Sequence, residues 1–149
     1  MSEPFDVQDI SAFLTVLARA DGARLKAEAE AILPTLGTIE VVQSRSGLVM
    51  VPLRDTVQGT DFFLGEALVA EAHIRLHPAS GAGAVVEGYG MVTGHDLEQA
   101  MAMALLDGAH RLGLPGPARF VRAEAARQEA EDAARLCAIE ATRVDMETF

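Results

Sequence analysis

Apolar positions at the start of the chain recur at helical spacing. Ile10, Phe13, Leu14 and Leu17 share one face as far as Asp21-Gly22, and Leu25, Ala29, Ile32 and Leu33 share another as far as Pro34. This spacing predicts two short helices. From Gly37 the period changes: Ile39-Glu40-Val41-Val42 and Leu48-Val49-Met50-Val51 are β-branched or apolar runs, and Gln43-Ser44-Arg45-Ser46-Gly47 between them reads as the turn of a hairpin. Pro52 has no N–H to give to a ladder and belongs at a strand end, a bulge or an edge, while residues 55–61 read as a loop. Residues 63–76 form the clearest strand: Leu64, Leu68, Ala70, Ala72, Ile74 and Leu76 hold one parity, and Glu71, His73 and Arg75 hold the other. His77-Pro78-Ala79-Ser80-Gly81-Ala82-Gly83 ends it. Residues 85–92 then supply a fourth strand, whose Gly88 and Gly90 point to a bulge or to another backbone lying close.

Helical spacing returns with Leu97, Met101, Ala104, Leu105, Gly108 and Leu112, entered at Gly94-His95-Asp96 and ended near residues 113–117. Residues 119–144 alternate Arg and Glu over alanine, with Arg127 four before Glu131 and Glu131 four before Arg135, which predicts a long helix. Its apolar stripe is thin: Ala123, Ala126, Ala130, Ala134, Cys137 and Ala141. Such small residues let another helix approach closely but bury little area. The segment 118–149 therefore reads either as a helical docking arm or as a surface helix folded over its own sheet. Two helices, four strands joined by short connections and two more helices give an α+β fold with a mainly antiparallel sheet, in one domain over residues 1–149. At this length, folding buries roughly 70% of the unfolded chain's surface.

Charge narrows the range of partners. Twenty-two acids against twelve bases leave a formal charge of −10, and Lys26 is the one lysine. Nucleic acids and anionic lipids are held mainly by basic side chains, so neither is an expected partner. A single cysteine, Cys137, forms no internal disulfide and no cysteine-based metal site, and is expected to be a small buried hydrophobe. The acidic beginning Met1-Ser2-Glu3-Pro4-Phe5-Asp6 lacks the basic character of a signal peptide, and no apolar run reaches the ~18 to 20 residues that span a bilayer, so the expected compartment is the cytoplasm.

Candidate chemistry is sparse. His73 and His77 with Glu71 would be the ligands of a stand-alone, metal-assisted enzyme, but His77 lies where its strand ends, and the dense spacing of a helical zinc motif is missing. His95-Asp96 could make an acid-base pair, although Asp96 is better explained as a helix N-cap. Gly81-Ala82-Gly83 lies between strands and opens no helix, so it is not a phosphate cradle. From Arg75 to Arg111 the chain has Glu87, Asp96, Glu98 and Asp107 but no base, which disfavours an anion site there. No catalytic, cofactor-binding or metal-binding residue is expected.

Several elements together resemble a known family: Gly47-Leu48-Val49-Met50; Arg54 and Gly59; Phe62-Phe63-Leu64-Gly65-Glu66; Ile74-Arg75-Leu76; Gly94, Asp96, Ala100, Leu105 and Asp107; and Ala141-Thr142-Arg143-Val144-Asp145. In order and spacing they are similar to PhnG, a subunit of the bacterial carbon-phosphorus lyase system. The resemblance implies a component of the assembly that joins an alkylphosphonate to ATP-derived ribose, releasing adenine and giving a ribose 1-alkylphosphonate 5-triphosphate. It implies subunits of the PhnI, PhnH and PhnJ types as partners and leaves the nucleosidase chemistry to PhnI. The expected docking elements are the strand over 63–76 and the carboxy-terminal helix. Glu66, Arg75, Ala130, Ala134 and Arg143 are the expected partner-binding residues, and an isolated chain has an uncovered surface through which it could pair with itself. Thr56-Val57-Gln58-Gly59 stands where the family tends to have Gly-Gly-Thr-Gly, and Gly94-His95-Asp96-Leu97 where it has Gly-Arg-Asp-Lys, so two cationic positions are lost. The ending Met146-Glu147-Thr148-Phe149 replaces a doubly aromatic tail.

Overall fold

A computed structural model describes residues 6–78, 81 and 83–143. The expectations for Met1-Ser2-Glu3-Pro4-Phe5, for Ala79, Ser80 and Ala82, and for Val144, Asp145 and the last four residues lie outside the described residues. The chain runs α1 (Ile10–Ala18), α2 (Gly22–Ile32), β1 (Thr38–Arg54), β2 (Asp61–His77), β3 (Val86–Thr93), α3 (Leu97–Arg111) and α4 (Pro115–Glu140). Each of the first three helices starts where an aspartate can hold orphan amides. Asp9 accepts from Ser11 and Ala12, Asp21 from Arg24, and Asp96 from Gln99. Asp96 is thus an N-cap, and α4 instead opens on Pro115, whose missing N–H costs nothing at that position.

The fold is α+β, as the alternation and helical spacing imply, but the sheet has three strands in the order β1-β2-β3, all antiparallel. The hairpin expected at residues 43–47 does not form. Ser44, Arg45, Ser46 and Gly47 lie opposite Ala72, Glu71, Ala70 and Val69, and β1 continues through them for 17 residues. The stretch resembles a turn because it is polar, ends on glycine and follows a register shift between Val41 and Gln43 that breaks the parity of the apolar residues; it is not one, because Gly47 is extended, without the positive φ that a tight turn requires. A real turn lies at Asp55, whose carboxylate accepts the N–H groups of Val57 and Gln58, with Gly59 at φ 68°. Pro52 sits on the edge strand at a second register shift, between Val51 and Pro52.

One end of the sheet carries the core. Ala70, Ala72, Ile74 and Leu76 of β2 and Val92 of β3 face α3, with Phe13, Leu17, Leu25, Leu106 and Val121 closing the cluster. The close approach signalled by Gly88 and Gly90 is backbone against backbone. A Cβ at Gly88 would lie 2.2 Å from the Ala104 carbonyl oxygen, and one at Gly90 would lie 2.1 Å from that of Ala100. At this distance the buried Asp107 of α3 accepts the Tyr89 N–H of β3 at 3.0 Å and pairs with Arg111 at 3.1 Å.

The first half of α4 packs against the other helices, but on the side away from the predicted stripe. Pro117, Val121, Glu124 and Gln128 are buried, whereas Ala123, Ala126, Ala130, Ala134, Cys137 and Ala141 are exposed. The two sets are two positions out of phase, which at ~100° per residue puts them on nearly opposite sides. Packing selected the side chains with volume, because their polar heads find partners. Gln128 donates to the Val16 carbonyl at 2.9 Å, and Glu124 pairs with Arg127 and, at 3.5 Å, with Arg24. Cys137 is accordingly not a buried hydrophobe.

Candidate functional site

β3 spans only half the length of β2. Its register ends at Val69 opposite Thr93, so residues 47–68 of β1 and β2 project beyond the helix-backed half as a two-stranded ribbon. The ribbon is apolar on both faces. Leu48, Met50, Phe63 and Leu64 are 63, 59, 63 and 66% exposed, and Val49, Leu53, Phe62 and Leu68 are exposed as well. Pairing puts Leu48 beside Leu68 and Met50 beside Glu66, and the unbroken alternation from Ala70 back to Glu66 assigns all four to the face that carries the helices. A two-stranded ribbon is marginal by itself in water, and one with apolar residues on both sides exposes what a fold normally covers.

At its root the same face opens into a groove of about 450 Å³. Ser44 of β1 is its floor, Ala29 of α2 and Leu33 just after α2 form one wall, and Met101 and Leu105 of α3 form the other. Its mouth carries charge. Lys26 donates to Asp96 at 2.8 Å and lies 3.4 Å from Glu98; the Asp96 bond holds the ammonium above its ordinary pKa and, together with the Gln99 amide, holds the Asp96 carboxyl below its own. Glu30 also lines the groove, and neither it nor Glu66 has an ion-pair partner among the described residues.

The opposite face of the sheet is a closed polar lattice. Glu71 accepts from Arg45 at 2.9 Å, from the Tyr89 hydroxyl at 3.0 Å and from Gln43 at 3.1 Å. The Arg45 bond is the main reason that its carboxyl titrates below the usual glutamate range, while burial is what pushes the Tyr89 phenol up. His73 lies 3.3 Å from Glu87, His77 lies 3.6 Å from Glu40, and Arg75 reaches Glu87 at 3.3 Å and Glu40 at 3.4 Å. His73, His77 and Glu71 therefore each face a different partner, and among the described residues no group of three or more His, Cys, Asp or Glu side chains could hold a metal ion. His95 is exposed beside the Asp96 cap.

The five residues expected to bind a partner are scattered. Glu66 lies on the ribbon. Arg75 is occupied by Glu40 and Glu87 on the polar face. Ala130 and Ala134 are exposed on the far half of α4, and Arg143 pairs locally with Glu140 at 3.0 Å. The strand over 63–76, expected as a docking element, supplies Phe63, Leu64, Glu66 and Leu68 of the arm; the share of β1 in the arm and the groove at its root are not among the sequence-based expectations. The signal was there: Leu48-Val49-Met50-Val51 and Phe62-Phe63-Leu64 fill both strand parities, and a sheet with helices on one side can cover only one. Among the described residues no helix is long and apolar enough to cross a membrane. No curated protein sequence matches the chain. The family model for phosphonate metabolism protein PhnG matches residues 11–149, which covers every element of the fold except Ile10, the first residue of α1. The chain belongs to the PhnG family of phosphonate metabolism proteins.

Proposed function

We propose that this chain is a non-catalytic subunit of a carbon-phosphorus lyase complex. In that role it supports the conversion of ATP and an alkylphosphonate to a ribose 1-alkylphosphonate 5-triphosphate plus adenine, with PhnI, PhnH and PhnJ-type subunits as partners and the nucleosidase chemistry left to PhnI. The observation that carries this reading is the location of the family-like residues. Gly47-Leu48-Val49-Met50 and Phe62-Phe63-Leu64-Gly65-Glu66 lie on a projecting ribbon whose large apolar side chains are exposed. Residues whose task is chemistry converge on a substrate-sized space, whereas residues whose task is recognition occupy a surface. The polar lattice supports the same view, because the Arg45 bond holds Glu71, and the Arg75 bond holds Glu87, below the ordinary glutamate value in place of poising them near neutrality.

The test is reconstitution. The isolated chain, given ATP, an alkylphosphonate and divalent metal, is expected to release no adenine, and adenine release is expected when PhnI, PhnH and PhnJ-type subunits are present together with it. Turnover by the chain alone would overturn the reading.

A further inference from the structure

Resting on the subunit reading, we infer that the helix-side face of the ribbon and the groove at its root form one docking surface, and that its occupant is an apolar segment flanked by Arg or Lys, supplied by another subunit of the complex. Continuity is the first argument. Ser44 is in the lining of the groove, and Ser46, Leu48 and Met50 follow it on the same face of the same strand, so the apolar groove and the apolar ribbon are joined through two small serines into one track. From Ser44 to Met50 the track is ~20 Å long at ~3.3 Å per residue. Area is the second. On the helix-side face the adjoining Leu48, Met50 and Leu68 are 63, 59 and 42% exposed, a contiguous apolar patch on the order of 300 Å², which is within the range that marks an interaction site on a monomer.

Charge decides between occupants. The track is bordered by Glu30, Glu66, Asp96 and Glu98; Lys26 at the groove is already engaged by Asp96 and Glu98, and Arg54 at the tip of the ribbon lies 3.9 Å from Asp61. A second copy would bring the same acidic border and another formal charge of −10. The exposed end of this chain's own α4, with Glu129, Glu131, Asp132 and Glu140 against Arg135, is equally unsuited to lie there. An apolar segment with basic flanks satisfies both the track and its rim.

Co-expression of the full chain with the PhnI, PhnH and PhnJ-type subunits tests this, with capture measured at low and high salt. Leu48→Glu combined with Met50→Glu, both at exposed positions, is expected to reduce capture at least tenfold while the isolated chain keeps its melting temperature. Glu30→Lys with Glu98→Lys is expected to reduce capture and flatten its salt dependence, with the wild-type chain, free and in the complex, as the controls. As a readout that needs no variant, the amides of Leu48, Met50 and Leu68 are expected to gain protection from hydrogen exchange in the complex. Capture and exchange at the ribbon that are the same as in the controls overturn the docking assignment while the subunit reading stands. A dimer of the isolated chain that Leu48→Glu with Met50→Glu dissolves without changing capture gives the surface to a second copy, and also overturns the assignment. If the wild-type chain captures none of these subunits, the subunit reading falls and the assignment falls with it.

Discussion

The two halves of the sheet are built from the same strands and differ in what lies on them. Around Ala70, Ala72, Ile74 and Leu76, α3 sits so close that Gly88, Gly90 and Gly108 have no room for a side chain. Around Leu48, Met50, Phe63 and Leu64 no described residue lies on the strands, and an ideal Cβ at Gly47 or Gly65 would meet no atom within 4 Å. Alternation along β2 crosses the boundary as far as Glu66, so parity alone does not mark where one half ends. The presence or absence of an overlying helix does. A half packed to the limit of backbone contact carries stability, and a half left open to water keeps its apolar area for something else.

That contrast can be broken first at Gly90. A methyl group there would meet the Ala100 carbonyl oxygen at 2.1 Å and the Ala104 amide nitrogen at 2.8 Å, and neither backbone atom can move without lifting α3. Gly90→Ala is expected to cost at least ~3 kcal/mol, seen as a large fall in denaturation midpoint. Next is Asp107→Ala, which strands the Tyr89 amide and the Arg111 guanidinium at the same seam and is expected to cost about 2–3 kcal/mol by chemical denaturation.

The buried Glu124 sharpens the comparison through pH. Its hydrogen bonds with Arg127, and then the charges of Arg127 and Arg24, hold its carboxyl below the ordinary value of 4.5. A depressed carboxyl contributes stability that is fully present above the ordinary value and is lost as pH falls through the folded-state value. Glu124→Gln is therefore expected to cost about 1–2 kcal/mol at pH 7, a modest figure because both arginines are partly exposed, and the gap from wild type should close below about pH 4. A gap independent of pH would mean that shape and not charge is lost. The smallest effect is expected on the open half: Gly65→Ala should shift stability by less than ~1 kcal/mol, in the stabilising direction, because it restricts the unfolded chain and meets nothing in the folded one.

Much of the fold was legible because the governing signals are local. Asp9, Asp21 and Asp96 mark helix starts through hydrogen bonds to amides two or three residues on, and the parity of residues 64–76 follows from the pleat alone. Illegible features depended on distant partners. Ser44-Arg45-Ser46 is polar because Arg45 meets Glu71 across the sheet and Ser44 floors a groove, and the same residues read locally resemble a turn. On α4 the arginine and glutamate pattern announced a helix, but its buried side was set by Val16 and Arg24 on other elements, out of view of any periodicity. Of the residues expected to meet a partner, Glu66 is free on the ribbon, while Arg75 and Arg143 have partners within the chain.

Sequence by itself determined the α+β class, the places where the helices start, the strand over residues 63–76 and the glycines that demand close backbone approach, all of which rest on short-range stereochemistry and hydrogen bonding. Only the tertiary structure decided that β1 is one strand, that α4 buries Glu124 and Gln128 in preference to its alanines, and that the apolar arm is left uncovered. Those outcomes depend on whether an element distant in sequence arrives to cover a face or to pair a charge, and alternation along a chain carries no record of that.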